Sequence, residues 1–389
     1  MMKFIRSYSP AVLLLVFLFT LSVLFFALPK QDYSENEKRV LAEPPLFSLE
    51  SLIDGQFMTE TESYLSDHFP FRDAFVGLQS YYELVTGRGG AADIYYGKDG
   101  YLIAAQSDSA SDETVRTNTQ NYAAFAAHLG LEASLLPVPQ AGYSLADKLP
   151  AVHRPFEDDL FFEAVDAAKG AMTLIDVRED LQAGADRTPL YFKTDHHLNM
   201  NGAFALYNAY LRSRSMTPLT DYASETYDGF YGTGYSKSGY WGAEPDVIEL
   251  FKSELADEVT VTLGNGVGEP AVHDSLFFYD HLENMDKYPL YLDGNHGLVT
   301  ITNPEAPEGK LLIVKDSFAH SAVTLLCQHY REIYMVDLRY YSDSADLTVA
   351  ELVKQHGLQE ALFLYGVDSL ATDSSSSFKL FYGIEEALP

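Results

Sequence analysis

Two short segments hold residue types that could do chemistry together. In Tyr191-Phe192-Lys193-Thr194-Asp195-His196-His197-Leu198-Asn199, a carboxylate and two imidazoles stand between a short apolar run and a helical pattern. If that junction is extended, residues two apart share a side, so Asp195 and His197 act together and His196 points away. In Leu311-Leu312-Ile313-Val314-Lys315-Asp316-Ser317-Phe318, an apolar strand ends in a serine and leads into a helix. A serine hydroxyl is a poor nucleophile at neutral pH and needs a base within hydrogen-bond reach, itself held by a third group. His197 and Asp195 are of the right kind for those roles, and the amides of a helix start suit a developing oxyanion. Plainer readings stay open. Asp-x-His can be a structural hydrogen-bonded pair or a fragment of a metal site, and Ser317 can be a helix N-cap. No second cluster of His, Cys and carboxylates is apparent to complete a metal shell, so neither a metal nor a cofactor is expected.

The elements around these segments read as α/β. Helices are predicted over 118–129, 156–169 and 200–212, with strands over 132–138, 172–177 and 189–193. The alternation resumes with strands over 310–314, 332–336 and 361–365 and helices over 318–329 and 345–356. Short apolar strands joined by helices imply a mostly parallel sheet covered on both faces. A serine at the carboxyl end of such a strand sits where α/β sheets bind ligands. Earlier in the chain, Gln56 to Thr86 reads as two helices broken at Phe69-Pro70-Phe71, and Asp93 to Ile103 as a hairpin. Tyr222 to Pro245, with the sole tryptophan Trp241, reads as an aromatic loop, either a saccharide-stacking lid or irregular packing.

Before all of this, Ala11 to Leu28 is apolar except for Thr20 and Ser22 and is preceded by Lys3 and Arg6. At about 1.5 Å per residue it comes close to spanning a hydrocarbon core of roughly 30 Å. The basic flank places the N-terminus in the cytoplasm and the rest outside. The exit Phe-Phe-Ala-Leu-Pro lacks a small-x-small cleavage site, which favours an uncleaved anchor. The expected organisation is a basic flank over 1–10, a transmembrane signal-anchor over 11–28, a tether over 29–50 and one domain over 51–389. The chain of 389 residues carries 26 Lys plus Arg against 56 Asp plus Glu, a net charge of −30. That balance excludes nucleic acid as a partner and disfavours a polyanionic ligand unless the cleft is locally basic. The single cysteine, Cys327, cannot form an intrachain disulfide and reads as a small core residue.

Thr194-Asp195-His196-His197 followed by Asn201-Gly202-Ala203 resembles the signature of the DHHW family. Lys315-Asp316-Ser317-Phe318 is similar to the Gly-Asp-Ser-Phe block of the SGNH-hydrolase-like alginate O-acetyltransferases. Asn36-Glu37-Lys38-Arg39, Asp67-His68-Phe69-Pro70-Phe71-Arg72-Asp73 and Ile94 to Leu102 resemble this family's opening region. The resemblance implies an SGNH-hydrolase-like, flavodoxin-like α/β domain with a permuted order in which Asp-x-His precedes the serine. It assigns Asp195 as orienting group, His197 as base and Ser317 as nucleophile, with Asp316 and His196 in supporting positions. Three positions depart from the pattern: Leu198 stands for Trp, Lys315 for Gly, and Gly366 for an expected asparagine. The last removes a side-chain oxyanion donor, for which Arg339, Tyr340 and Asn295 are the candidate substitutes.

The implied function is acyl transfer to a cell-surface polysaccharide through an acyl-serine, with a multi-pass membrane acyltransferase as the implied source of acyl groups. A carbohydrate esterase uses the same residues with water as acceptor. A glycan-binding or assembly protein with a decayed site is the non-enzymatic alternative.

Overall fold

A computed structural model of the chain describes residues 2–185 and 188–384. Its centre is an eight-stranded sheet. In chain order the strands are β1 (Glu132–Val138), β2 (Thr173–Leu174), β3 (Thr260–Gly264), β4 (Ala271–His273), β5 (Leu298–Thr302), β6 (Lys310–Lys315), β7 (Glu332–Val336) and β8 (Glu360–Gly366). The spatial order is β4-β3-β5-β7-β6-β8-β1-β2. Neighbours from β7 to β2 run parallel, and β5, β3 and β4 extend the sheet antiparallel from β7.

The apolar runs of the parallel strands follow from burial on both faces. In β6, Leu311 and Ile313 join a core that includes Tyr207, Tyr210 and Leu211, while Leu312 and Val314 join one that includes Phe125, Phe161 and Leu352. Side chains alternate across a strand, so Leu311 to Val314 meet apolar cores on both faces. Burying each such side chain contributes about 1.5–3 kcal/mol. Cys327 lies wholly buried in the first of these cores, as its apolar setting implied.

The helices begin and end where local chemistry directs. Helix Asp112–Leu129 starts six residues before the predicted boundary, because the Ser111 side chain accepts from Thr114 N–H and caps it, and it ends at Gly130 with φ +66°. Helix Val349–His356 starts four residues later than predicted, since Thr348 and Glu351 form a capping box. The break at Phe69-Pro70-Phe71 lies as read, between helices Gln56–Asp67 and Arg72–Val85. The hairpin is also present, with Ile94–Tyr96 paired to Leu102–Ala104.

Three expectations are corrected. Residues 189–193 form no strand; a single bridge joins Tyr191 to Leu198, so the segment turns back on itself instead of joining the sheet. The strand expected over 172–177 shortens to Thr173–Leu174 at the sheet edge. The aromatic stretch over 222–245 is not one irregular loop. Ala223–Phe230 pairs with Asp246–Lys252 as a hairpin outside the main sheet, and Thr233–Ser238 is a short helix. Trp241 donates its indole N–H to the Asp73 carbonyl at 2.8 Å and packs on helix Arg72–Val85.

Helix Met200–Ser213 follows the Asp-x-His segment directly and packs on helix Ala319–Leu326, which follows Ser317. Its approach depends on Gly202, where an added Cβ would lie 2.3 Å from the Leu190 carbonyl oxygen and 2.7 Å from Leu198 Cδ2. Alanine ordinarily stabilises a helix interior by about 1 kcal/mol over glycine. Here Gly202→Ala is expected to destabilise by about 1–3 kcal/mol through overpacking against backbone. A urea midpoint at or above that of the unmodified protein would contradict this reading of the contact.

Candidate active site

Ser317 lies beyond the carboxyl end of β6, between that strand and helix Ala319–Leu326. Its hydroxyl does not cap the helix, which has no side-chain cap bond. Instead Ser317 Oγ lies 2.7 Å from His197 Nε2. His197 Nδ1 lies 2.5 Å from Asp195 Oδ1, so the three groups form one hydrogen-bonded chain. The geometry is that of a serine whose proton can pass to an imidazole held by a carboxylate.

The route to this pairing differs from the extended junction expected from sequence. Residues 193–197 form bends, with Phe192 N–H donating to the His197 carbonyl. Asp195 Oδ1 accepts the backbone N–H of His197 at 2.9 Å, an Asx turn. That turn folds the His197 ring back onto the same carboxylate.

Other segments hold the turn. Asp246 accepts from Lys193 N–H at 2.8 Å and from Thr194 N–H and Oγ1 at 2.7 Å each. Thr194 Oγ1 accepts from Gly232 N–H at 3.0 Å. Thr233 donates to Asp195 Oδ2 through its N–H at 2.7 Å and its hydroxyl at 3.1 Å. Gly232 permits this approach, because a Cβ there would lie 2.1 Å from Asp195 Cβ. Burial works against the Asp195 carboxylate, but the charges of His197 and His196 and these hydrogen bonds outweigh it and hold the carboxyl well below its usual range.

Tyr288 completes the surround. Its ring stacks on His197 with centroids 3.9 Å apart and planes 9° from parallel, and its hydroxyl donates to the Ser317 carbonyl at 2.9 Å. Burial, with Tyr291 and Asp195 nearby, holds its phenol well above the ordinary value, so it stays a donor. Nothing in the sequence singled out Tyr288, one of 27 tyrosines, and Thr233 and Asp246 carried no periodic or motif signal, whereas Thr194 stood in the quoted motif without a role assigned to it.

The supporting residues behave differently from one another. Asp316 accepts from Phe318 N–H at 3.0 Å and from Gly366 N–H at 2.8 Å, tying the serine turn to the end of β8. His196 hydrogen-bonds outside the triad, with Nδ1 2.7 Å from Thr233 Oγ1, and its ring lies 3.9 Å from that of His197. Arg339 grips Asp337 with two hydrogen bonds, at 2.9 and 2.7 Å. Among the described residues, neither Arg339 nor Tyr340 nor Asn295 hydrogen-bonds to the triad. A side chain at position 366 has no room either, since a Cβ there would lie 2.6 Å from the Phe318 ring. The Ser317 N–H, which meets no acceptor among the described residues, is the donor at hand for an oxyanion.

Asp195, His196 and His197 offer ligand atoms within 4.8 Å of one another. His197 Nδ1 is already engaged by Asp195 and His196 Nδ1 meets Thr233 Oγ1. A cleft of about 170 Å³ opens beside the triad. Leu102, Ile103, Phe192 and Phe318 line its apolar part, and His196, Lys237 and Asp368 its polar part.

Solved structures with this arrangement of elements include a DHHW family protein from Eubacterium siraeum. It superposes with a TM-score of 0.62 at 19% identity, over 75% of this chain and 96% of that one. The chain has the fold of a DHHW family protein. Bacillus cereus PatB1, in a structure bearing a sulfonyl adduct, matches with a TM-score of 0.60 at 20% identity over 72% of this chain and 97% of its own. The O-acetyltransferase domain of Pseudomonas putida AlgJ lies further off, at TM-score 0.46 and 12% identity over 74% of this chain and 99% of its own. No protein-family model matches the chain. No curated protein matches it by sequence.

The depressed Asp195 carboxyl makes stability depend on pH with a definite sign. A carboxylate favoured in the folded state adds stability above its ordinary pKa, near 3.8 here, and loses it as pH falls through the folded value. Asp195→Asn is therefore expected to lie furthest below the unmodified protein near pH 7 and to approach it in acid. A gap in urea stability that stays constant from pH 7 down to about pH 2 would contradict this.

Proposed function

We propose that the protein is a serine acyl-ester enzyme of the cell envelope that moves an acyl group, such as acetyl, onto a hydroxyl of a surface polysaccharide. The observation that carries this reading is the Asp195–His197–Ser317 chain at 2.5 and 2.7 Å, in which the serine hydroxyl serves no helix cap. In this reading Ser317 Oγ attacks the carbonyl carbon of an acyl ester while its proton passes to His197 Nε2. The oxyanion so formed is met by the Ser317 N–H. Collapse breaks the ester bond, and His197 returns the proton to the departing alcohol. A sugar hydroxyl then attacks the acyl-serine carbonyl, giving its proton to His197, and Ser317 leaves with that proton. Asp195 holds the imidazole and balances its transient charge throughout.

Placement and charge favour this acceptor class. Helix Met2–Ala27 contains a segment, Tyr8–Ala27, long and apolar enough to cross a bilayer. With Lys3 and Arg6 on the cytoplasmic side, the domain that we assign to residues 51–389 lies outside, where exported glycans pass. A cleft with Lys237 as its one lysine or arginine, facing Asp368 on a chain of net charge −30, suits a neutral glycan better than a polyanionic one.

His197→Ala is expected to lower turnover of an acetyl ester by about 10²–10⁴-fold or more, as for loss of a general base. Ser317→Ala should abolish it with folding intact, while His196→Ala should retain most of it. Equal losses in His196→Ala and His197→Ala would overturn the assignment of the base. Turnover that is unchanged by added glycan, with free acid as the sole product, would favour the esterase instead.

A further inference from the structure

Helix Arg72–Val85 is amphipathic in the inverted sense. The residues it buries against the domain are Gly77, Ser80 and Glu83. Its inner face is small because Trp241 lies on it: a Cβ at Gly77 would come within 2.7 Å of the indole. Ser80 Oγ donates to the Ser238 carbonyl at 2.6 Å on the same face. Phe71, Phe75, Leu78, Tyr82 and Val85 recur at spacings of four and three, forming a single stripe on the outside. All five are exposed, Leu78 at 64% and Val85 at 85%.

The stripe continues into the preceding elements. Leu46, Phe47, Leu49 and Ile53 are exposed, Ile53 at 86%, and helix Gln56–Asp67 buries no residue while exposing Met58 and Leu65. An apolar surface so extended marks an interaction site.

Its position says what covers it. Tyr64 of helix Gln56–Asp67 meets Phe25 edge-on, with ring centroids 6.0 Å apart. Phe25 lies inside the apolar segment Tyr8–Ala27. Leu28 and Pro29, just past that segment, line one groove with Phe69 and Pro70. A bilayer around the spanning helix therefore lies beside Tyr64, Phe69 and Pro70, where this surface begins.

We propose that residues 46–85 form a platform seated in the outer face of the bilayer, a second membrane contact beside the spanning helix. The inference rests on Tyr8–Ala27 as a span and is independent of the chemistry at Ser317. Exposed Phe and Tyr suit the interfacial zone. The charge specifies the lipid. Seven acidic residues of the segment, among them Glu50, Asp54, Glu60 and Glu62, stand against Arg72 as its one lysine or arginine, so the surface suits zwitterionic headgroups and is repelled by anionic ones. The platform also fixes where the site lies, because helix Arg72–Val85 packs on residues 238–241 and Thr233, which binds Asp195, belongs to the same segment.

The test places single fluorophores on cysteines in the full chain, reconstituted in phosphatidylcholine vesicles. Native Cys327 is fully buried and takes no label. Leu78→Cys and Val85→Cys probe the platform, Leu14→Cys the span, and exposed Ser374→Cys the water-facing side. The expected result is a blue shift at 78 and 85, strong quenching by nitroxides placed near the headgroup, about 5–10 Å deep, and protection from iodide, with Ser374 behaving in the opposite way. Added phosphatidylglycerol should weaken these signals. Iodide access at 78 and 85 equal to that at 374, with Leu14 in lipid, would overturn the platform and leave the span standing. Iodide access at Leu14 would overturn both. Shielding of 78 and 85 from both quenchers would also overturn the platform, in favour of a second copy if dilution into excess lipid restores iodide access.

Discussion

A buried carboxylate has to be met by donors, and the arrangement around Ser317 follows from how this chain meets that need at Asp195. Asp195 is 3% exposed, and an unpaired charge at such a place costs several kcal/mol. Oδ1 takes the backbone N–H and Nδ1 of His197, and Oδ2 takes the N–H and hydroxyl of Thr233. Satisfying the charge thus orients the imidazole, and the only atom of that ring left to act is Nε2, which faces Ser317. Because residues 193–197 have no strand ladder of their own, a second carboxylate, Asp246, fixes their backbone from the hairpin outside the sheet. The main sheet positions the serine, and the outer hairpin positions its base.

Some of this was legible in the residue order and some was not. An apolar run buried on both faces, followed by a helix, locates Ser317 because strand and helix periodicities are local properties. The types and spacing of Asp195 and His197 also suggested a pair, although the reason was different: an Asx turn, not an extended strand, unites them. Residues 189–193 looked like a strand because Leu190, Tyr191 and Phe192 are buried, yet their backbone bonds are made within the same loop. Thr233, Asp246 and Tyr288 come from irregular or distant segments, where no period distinguishes a residue that touches the site from one that does not. The aromatic stretch over 222–245 misled for a related reason. Tyr240 and Trp241 face helix Arg72–Val85 while Tyr222 and Tyr227 pack toward the main core, and only the fold reveals those surfaces.

Two of the three departures from the family pattern have local physical accounts. Leu198 is buried against Gly202, and nothing in the structure explains why it replaces Trp. Lys315 lies fully buried, its Nζ 2.8 Å from His320 Nε2 and 3.2 Å from Asp337 Oδ2. Burial pushes the Lys315 amine down and keeps His320 neutral, so the imidazole accepts, while Arg339 and Lys315 together outweigh burial to hold Asp337 ionised. Position 366 is glycine where Phe318 and Asp316 close over it, leaving no room for an asparagine side chain. None of these changes disturbs the hydrogen-bonded chain from Asp195 to Ser317.

That chain is what the functional account stands on, and its most direct test is covalent. The full-length protein, treated with an activated acetyl ester at neutral pH, would be digested and the peptide containing Ser317 weighed. The account expects one acetyl group on that serine, formed rapidly in the unmodified protein and lost when His197 is replaced by alanine. Acetyl groups found elsewhere, or a labelling rate at Ser317 indifferent to His197, would contradict it.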